Sequence, residues 1–331
     1  MIIDPMRNLF LFLLIGLRIQ GAGLELLSTE MIWDKGDHNA FTDLIRYKGR
    51  WICTFRESEA HVGGDGRIRV LESKDGKKWD SAALIAEAGT DLRDPKLSIA
   101  RDGRLMIVAG GSIYGGTKVL KGRQPRVMFS RDAKQWTAPQ RILSEGEWLW
   151  RVTWREGHAY GVSYSTPADK QNWIVTLFES LDGINWSKLT QLDVPGKPNE
   201  TTVRFFKNGD MMALVRREPP ENMALIGLSK SPYKQWSWSS AHHAIGGPNF
   251  IQLPDGRLIA SGRDYREKPN YYTGAGFLSA TEGYKPELRF PSGGDNSYAG
   301  MAWRKGMLWM SYYSSHEGKG KIYFSKVKVG R

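Results

Sequence analysis

The stretch "SKDGKKW", Ser73 to Trp79, places Ser, Asp, Gly and Trp at a spacing that suits a hairpin turn. Short Ser and Asp side chains accept hydrogen bonds from nearby backbone amides, and Gly tolerates a positive φ angle. The stretch recurs as "SRDAKQW" (130–136) and "SLDGINW" (180–186), and in eroded form as "SKSPYKQW" (229–236) and "SATEGY" (279–284). A turn that repeats along the chain predicts a repeat architecture.

A second repeated element is a polar Gly corner followed by an apolar strand, as in "KGRWICTF" and "DGRLMIVA". It occurs six times, at Gly49, Gly103, Gly157, Gly209, Gly256 and Gly306. Six units of roughly 50 residues match the period of a propeller blade built from four short strands. The sequence therefore predicts an all-β fold, a six-bladed β-propeller.

The ends of the chain suggest how this ring closes. The sixth unit stops after "KGKIYFSKVKVG" (319–330), one strand short of a full blade. The segment "LELLSTEMIW" (24–33) can supply the missing strand and remove an exposed sheet edge. We therefore expect residues 24–331 to form a single propeller domain.

The first 23 residues have the pattern of a signal peptide. Arg7 precedes an apolar run over residues 9–17, and small residues follow at 21–23. The run is too short for a membrane span, so we expect a secreted or periplasmic protein. A buried first strand, or a later start at Met6, is the alternative.

Composition limits the possible partners and cofactors. The net charge of +12 favours an anionic partner such as nucleic acid, a membrane surface or an acidic sugar, and the scattered Lys and Arg argue against nucleic acid. A basic surface without such a partner is the alternative. The six His show no metal-ligand spacing and no phosphate-binding Gly loop occurs, so we expect no catalytic metal and no cofactor. The single Cys53 shares a strand face with Trp51 and Phe55, which predicts a buried structural thiol.

The repeated turns resemble the Asp-box of the sialidase superfamily, and their spacing fits that superfamily's propeller along residues 24–331. Turn chemistry accounts for every residue of the box, so the box indicates the fold and not the reaction. The resemblance implies hydrolysis of a glycoside with an acidic sugar. That chemistry needs a cationic clamp, a proton donor and, in sialidases, a Tyr nucleophile activated by Glu.

The stretch "NETTVRFFKNGDMMALVRRE" (199–218) is similar to the sialidase segment in which a Glu opens one strand and an Arg ends the next. The resemblance implies that Glu200 is the general base and Arg216 belongs to the clamp. Arg217 is the alternative register, because neighbouring strand residues face opposite sides. An ion pair between strands would explain the same residues without a function.

Two further stretches complete the implied clamp and nucleophile. Tyr298 in "GDNSYAGMAW" (294–303) holds the place of the nucleophile, and Arg263 in "SGRDYRE" (261–267) is a second clamp residue. A Tyr between small residues could instead be an interface aromatic.

The stretch "FRESEAHVGGDGRIRV" (55–70) resembles the segment that carries the sialidase acid. It implies Asp65 as general acid/base and Arg56 as a contact to a sugar hydroxyl; an Asp-Gly hairpin turn is the alternative. In "DLRDPKLS" (91–98), Arg93 could supply positive charge and Asp94 could bind a sugar hydroxyl, or the two could be structural.

One departure stands out. Sialidases open their first blade with Arg-Ile-Pro, whose Arg completes the clamp, whereas this chain reads "DHNAFTDL" (37–44). The first hypothesis is an exported, retaining glycoside hydrolase that releases a terminal sialic acid or related acidic sugar. The alternatives are a propeller glycosidase or lyase acting on a uronic-type sugar, and a non-catalytic glycan-binding propeller.

Overall fold

The computed structural model describes residues 23–115, 118–167 and 172–330, and every regular element within them is a β-strand. The strands form six antiparallel sheets of four, which confirms the predicted all-β six-bladed propeller. The predicted signal peptide, except for its last residue, lies outside the described residues. Within the described ranges, no helix has the length and apolar character needed to cross a bilayer.

Each blade is a meander that starts at the central channel and runs outward. Blade 1 contains β2 (His38–Tyr47), β3 (Arg50–Ser58), β4 (Arg67–Ser73) and β5 (Asp80–Ile85). Blade 2 contains β6 (Asp91–Ile99), β7 (Leu105–Tyr114), β8 (Leu120–Ser130) and β9 (Gln140–Arg141). Blade 3 contains β10 (Trp148–Arg155), β11 (His158–Ser165), β12 (Ile174–Ser180) and β13 (Trp186–Gln191).

The remaining blades follow the same plan. Blade 4 contains β14 (Lys197–Phe205), β15 (Met211–Glu218), β16 (Leu225–Ser229) and β17 (Ser237–Ser240). Blade 5 contains β18 (Ile245–Gln252), β19 (Leu258–Asp264), β20 (Tyr272–Ser279) and β21 (Gly283–Arg289). Blade 6 contains β22 (Asn296–Arg304), β23 (Met307–Ser314), β24 (Lys321–Val329) and, as its outermost strand, β1 (Leu24–Trp33).

The ring closes between the two ends of the chain, as the sequence predicts. Strand β1 pairs antiparallel with β24, from Leu24 opposite Val329 to Trp33 opposite Ile322. The six inner strands contact one another in turn around the channel. Apolar residues of adjacent blades pack between the sheets, and one of these clusters contains the fully buried Cys53, as expected.

The repeated turns on the rim have the predicted chemistry. In the first box, Ser73 Oγ accepts a hydrogen bond from the Gly76 amide at 2.9 Å, and Asp75 accepts one from the Lys77 amide at 2.8 Å. The Trp79 indole donates to the Gly76 carbonyl at 3.1 Å. The same three types of bond recur in the boxes at 130–136 and 180–186. The six corner glycines also share one conformation, with φ between 73° and 95°, which a side chain disfavours.

Candidate active site

A β-bulge interrupts each of the six inner strands at the same level of the channel. At each bulge two residues of the inner strand oppose one residue of its partner: residues 41–42, 94–95, 150–151, 199–200, 247–248 and 298–299. Bulges re-aim side chains and are frequent beside active sites. No two of the six bulges have the same sequence, and only a Pro at the second position of blades 2 and 5 recurs, so each blade brings different chemistry to the channel.

The central contact joins the bulges of blades 4 and 6. The Tyr298 hydroxyl donates to Glu200 Oε1 at 2.6 Å, although the two residues are far apart in sequence. The other carboxylate oxygen, Oε2, accepts from Arg216 Nη1 at 2.7 Å and from the Gly247 amide at 2.8 Å. Tyr298 has a positive φ of 54°, a backbone conformation that its bulge imposes.

The charges around this pair favour an ionised Glu and a protonated Tyr. Burial opposes the charge of Glu200, but Arg216 and the hydrogen bonds from Tyr298 and Gly247 outweigh it, so the pKa of Glu200 is lowered. Burial and the nearby Glu200 charge raise the pKa of Tyr298 well above its usual value. The pair can therefore pass the phenolic proton to an ionised carboxylate when the Tyr oxygen reacts.

The clamp candidates Arg216 and Arg263 line one cavity of about 250 Å³ beside the pair. Arg216 Nη1 lies 3.3 Å from the Tyr298 hydroxyl, whereas the half-buried Arg217 lines the same cavity and donates to the Met223 carbonyl. Of the two registers left open by the sequence, Arg216 is thus the one that contacts Glu200 and Tyr298. Lys268 also lines this cavity, so its surface attracts anions.

Arg263 connects Tyr298 to blade 6. Its guanidinium carbon lies 5.9 Å from the centroid of the Tyr298 ring, and Nη2 donates to Asp295 Oδ1 at 2.9 Å. Asp295 Oδ1 also accepts from the Tyr313 hydroxyl at 2.8 Å. These bonds fix Arg263 at the edge of the cavity while leaving its side chain partly accessible.

Blade 1 contributes an aromatic ring, from the segment in which the sequence lacks the expected Arg-Ile-Pro. Phe41 lies in the blade 1 bulge with a φ of 65°, and its ring centroid is 5.0 Å from that of Tyr298. Arg93 covers this ring, with its guanidinium carbon 5.0 Å from the centroid. Arg93 also donates to Asp91 and to the His61 carbonyl, so it is tied into the wall beside the channel.

Asp94, from the blade 2 bulge, is a carboxyl group that interacts electrostatically with both Glu200 and Tyr298. It has a φ of 49°, it is buried, and its Oδ1 has no hydrogen-bond partner among the described residues. Burial raises the pKa of Asp94, and the Glu200 charge adds to this rise, although Lys96 and Arg93 oppose it. A buried carboxyl group with an unpartnered oxygen and a raised pKa can donate a proton.

Lys96 was not among the residues that the sequence indicated. Its ammonium group lies 4.6 Å from the Trp150 ring centroid and 5.6 Å from that of Tyr298. Burial lowers its pKa to about 8. The bulge at residues 94–95 breaks the alternation of β6, so sequence spacing gave no signal for Lys96.

Two sequence-indicated residues lie apart from the pair. Arg56 is fully buried, with Nε donating to Asp91 Oδ1 at 2.6 Å and Nη1 to the Ala60 carbonyl at 2.7 Å. The expected contact of Arg56 with a sugar hydroxyl does not fit this packing, which holds the 59–66 loop instead. Asp65 lies in that loop, exposed, and accepts a hydrogen bond from the Gly89 amide at 3.1 Å.

The seam between blades 1 and 6 brings together three residues that the sequence did not connect. Ligand atoms of His38, His61 and Asp295 all lie within 4.8 Å of one another, so these side chains could hold a metal ion. Burial opposes the charge of Asp295, but hydrogen bonds from both histidines and the Arg263 charge hold its pKa well below the usual value. Because the three residues come from distant parts of the chain, their sequence spacing carries no signal.

Comparisons with known proteins bear on the fold. No family model matches the sequence, and no curated protein matches it. A protein of unknown function from Dyadobacter fermentans superposes with a TM-score of 0.82 at 22% identity, covering 93% of this chain and 99% of that chain.

Two solved enzymes share the architecture at lower identity. The α-L-arabinofuranosidase Arb93A of Fusarium graminearum, bound to an iminosugar inhibitor, gives a TM-score of 0.71 at 14% identity, covering 92% of this chain and 98% of that chain. Trypanosoma rangeli sialidase in complex with DANA gives 0.68 at 12% identity, covering 91% of this chain but 58% of that chain. The chain therefore has the fold of the sialidase-like six-bladed propellers.

Proposed function

We propose that this protein is a retaining glycoside hydrolase that releases a terminal acidic sugar, with sialic acid as the first substrate to test. The observation that carries the proposal is the 2.6 Å hydrogen bond between Tyr298 and Glu200 beside the cavity lined by Arg216 and Arg263. A neutral Tyr hydroxyl activated by Glu suits an anomeric carbon next to a carboxylate, where a carboxylate nucleophile would be repelled. The sialidase and arabinofuranosidase with the same fold support glycoside chemistry in such a channel.

In the first step, the Tyr298 oxygen attacks the anomeric carbon while Glu200 takes the phenolic proton. The bond to the leaving oxygen breaks, and a protonated carboxyl group donates its proton to that oxygen. Water then attacks the anomeric carbon, and the carboxylate that donated the first proton removes a proton from this water. The bond between the sugar and the Tyr298 oxygen breaks, and Glu200 returns its proton to that oxygen. Two displacements at one carbon give retention of configuration.

We assign the proton donor to Asp94 and keep Asp65, which the resemblance implies, as the alternative. Asp94 is buried beside the pair with a raised pKa and a free oxygen, as a general acid requires. Asp65 is exposed and its carboxylate is occupied by the Gly89 amide. Asp65 would need a loop movement to reach the leaving oxygen.

Arg216 and Arg263 are proposed to bind the sugar carboxylate through charge-assisted hydrogen bonds. Phe41 in place of the first-blade Arg favours a related acidic sugar, such as a uronic acid, as the second candidate substrate. A propeller that binds glycans without hydrolysing them remains the alternative from another class. Export through residues 1–23 belongs to the same proposal, and the N-terminal sequence of the protein recovered from its native source tests it.

The test is a panel of aryl glycosides that carry sialic acid, uronic acids or arabinofuranose, with wild type, Tyr298→Phe and Tyr312→Phe side by side. Tyr312 is a matched control, because its hydroxyl is buried but donates to the Pro291 carbonyl at 2.9 Å. We expect release of the phenol from an acidic glycoside by wild type and Tyr312→Phe, and none by Tyr298→Phe. Full turnover by Tyr298→Phe, or no turnover of any glycoside by folded wild type, would contradict the proposal.

A further inference from the structure

We propose that His38, His61 and Asp295 bind a divalent transition-metal ion of the zinc class at the seam between blades 1 and 6. His38 is the first residue of β2, His61 follows β3, and Asp295 immediately precedes β22. One nitrogen of each imidazole and one carboxylate oxygen already lie within 4.8 Å of one another. Two imidazoles and one carboxylate are a common ligand set for zinc.

Two of the three distances between ligand atoms agree with such a site after a small adjustment, and the third, between the two imidazoles, is within 4.8 Å. His38 Nε2 lies 3.3 Å from Asp295 Oδ2, and His61 Nδ1 lies 2.7 Å from the same oxygen. Two ligands bound to zinc at about 2.0–2.1 Å with a tetrahedral angle are about 3.3 Å apart. The first distance already fits, and the second opens by about 0.6 Å when the metal takes the place of the hydrogen bond, with the single proton of the neutral His61 ring on Nε2.

Neighbouring residues hold the three proposed ligands in orientation through atoms other than the ones that would bind the metal. Asp295 Oδ1 is held by Arg263 at 2.9 Å and by the Tyr313 hydroxyl at 2.8 Å, which directs Oδ2 toward the histidines. The His61 ring packs edge-on against Phe41 and His38, with centroids 5.4 Å and 5.3 Å apart. Hydrogen-bonded and packed ligands of this kind are characteristic of metal sites.

An open coordination position faces solvent. The three side chains line a cavity of about 490 Å³ that also contains Asp37, Glu59 and Lys319. The lining of the cavity contains three carboxylates, those of Asp37, Glu59 and Asp295, and one ammonium group, that of Lys319, so the lining attracts a cation. Two guanidinium groups lie behind it, with Arg263 bonded to Asp295 and Arg93 bonded to the His61 carbonyl. The imidazole ligands favour a zinc-class ion over magnesium or calcium, which prefer oxygen ligands.

A cation here would add positive charge beside Phe41, on the side of the channel where blade 1 lacks an Arg. An anionic oxygen of a substrate could then take the open position. This consequence rests on the proposed function, whereas metal binding itself does not.

The test uses the full-length protein, stripped with a chelator and then dialysed. Calorimetric titration with zinc chloride should give one ion per chain, and cobalt chloride should produce visible absorption bands. Zinc should also raise the melting temperature, because it binds only the folded state. We expect His61→Gln and His38→Gln to weaken zinc binding by at least about tenfold.

His316→Gln is the matched control, because His316 lies near the same cavity but bonds to Ser314. It should bind zinc like wild type. Circular dichroism verifies folding. Because the His61 side chain is half-exposed, His61→Gln should disturb folding less than His38→Gln. The proposal is overturned if folded wild type shows no saturable zinc binding, if His61→Gln binds zinc as tightly as wild type, or if magnesium binds in its place. A protein that binds zinc but hydrolyses no glycoside would overturn only the proposed function.

Discussion

The rim turns and the channel bulges both recur around the propeller, but the turns repeat their side-chain contacts whereas the bulges repeat only their backbone geometry. In the three intact boxes the same Ser, Asp and Trp atoms make the same hydrogen bonds at nearly the same distances. In the six bulges only the backbone irregularity repeats, while the side chains range from Phe41 to Gly247 to Tyr298. The repeated chemistry builds the fold, and the chemistry that differs between blades builds the site.

The largest effect should follow from a change at a bulge. Glu200→Gln keeps the shape of the side chain but removes the charge that accepts the Tyr298 proton. We expect kcat on the acidic glycoside to fall by about 10²–10⁴-fold, the usual range for a general base. Steady-state kinetics provide the measurement, with Glu57→Gln as the control, since Glu57 is a buried Glu paired with Arg69 on blade 1. Equal losses in both variants would show that the bulge has no special role.

The next comparison sets Asp94 against Asp65. Asp94→Asn should lower kcat by about 10²–10³-fold for substrates with poor leaving groups and much less for activated ones, because it removes the proton donor. Asp65→Asn should change kcat less than twofold, since Asp65 only accepts a bond from the Gly89 amide. A larger loss of kcat in Asp65→Asn than in Asp94→Asn would assign the general acid to Asp65, which lies on a loop.

The pH profile sharpens the same assignment. Activity requires Glu200 ionised, above its lowered pKa, and Asp94 protonated, below its raised pKa, so the profile should be bell-shaped between these two pKa values. Lys96 lowers the pKa of Asp94. Lys96→Met should therefore move the alkaline limb of kcat to higher pH. A shift to lower pH, or none, would mean that another group controls this limb.

The smallest effect on activity should come from the rim. Ser73→Ala removes the acceptor for the Gly76 amide, and we expect it to lower the free energy of unfolding by about 0.5–1.5 kcal/mol without changing kcat. Denaturant unfolding and steady-state assays measure the two quantities on the same preparation. A loss of activity in a fully folded Ser73→Ala protein would contradict the claim that the rim turns contribute to stability and not to the reaction.

The sequence predicts the rim far better than the channel, for a physical reason. A turn box is local, so "SKDGKKW" and its copies contain all the atoms that make its hydrogen bonds. The pairing of β1 with β24 was also predictable, because the sixth unit is one strand short and the segment at residues 24–33 is a strand that belongs to no other unit. Both features led to the six-bladed fold.

The site depends on contacts between blades, which sequence spacing does not encode. The resemblance indicated Glu200, Tyr298 and Arg216, and these three meet in the structure. It could not show that Phe41 of blade 1 packs against the Tyr298 ring. Lys96 was hidden because nothing in β6 reveals that the Trp150 and Tyr298 rings cover it.

The most direct test of the central claim is to trap the covalent intermediate. A fluorinated, activated analogue of the sugar that the glycoside panel identifies would be incubated with the protein, followed by proteolysis and peptide mass spectrometry. The account predicts one sugar adduct per chain, on the peptide that contains Tyr298, and no adduct in Tyr298→Phe. An adduct on Glu200 or on any other residue, or turnover of the analogue without an adduct, would contradict the assignment of Tyr298 as the nucleophile.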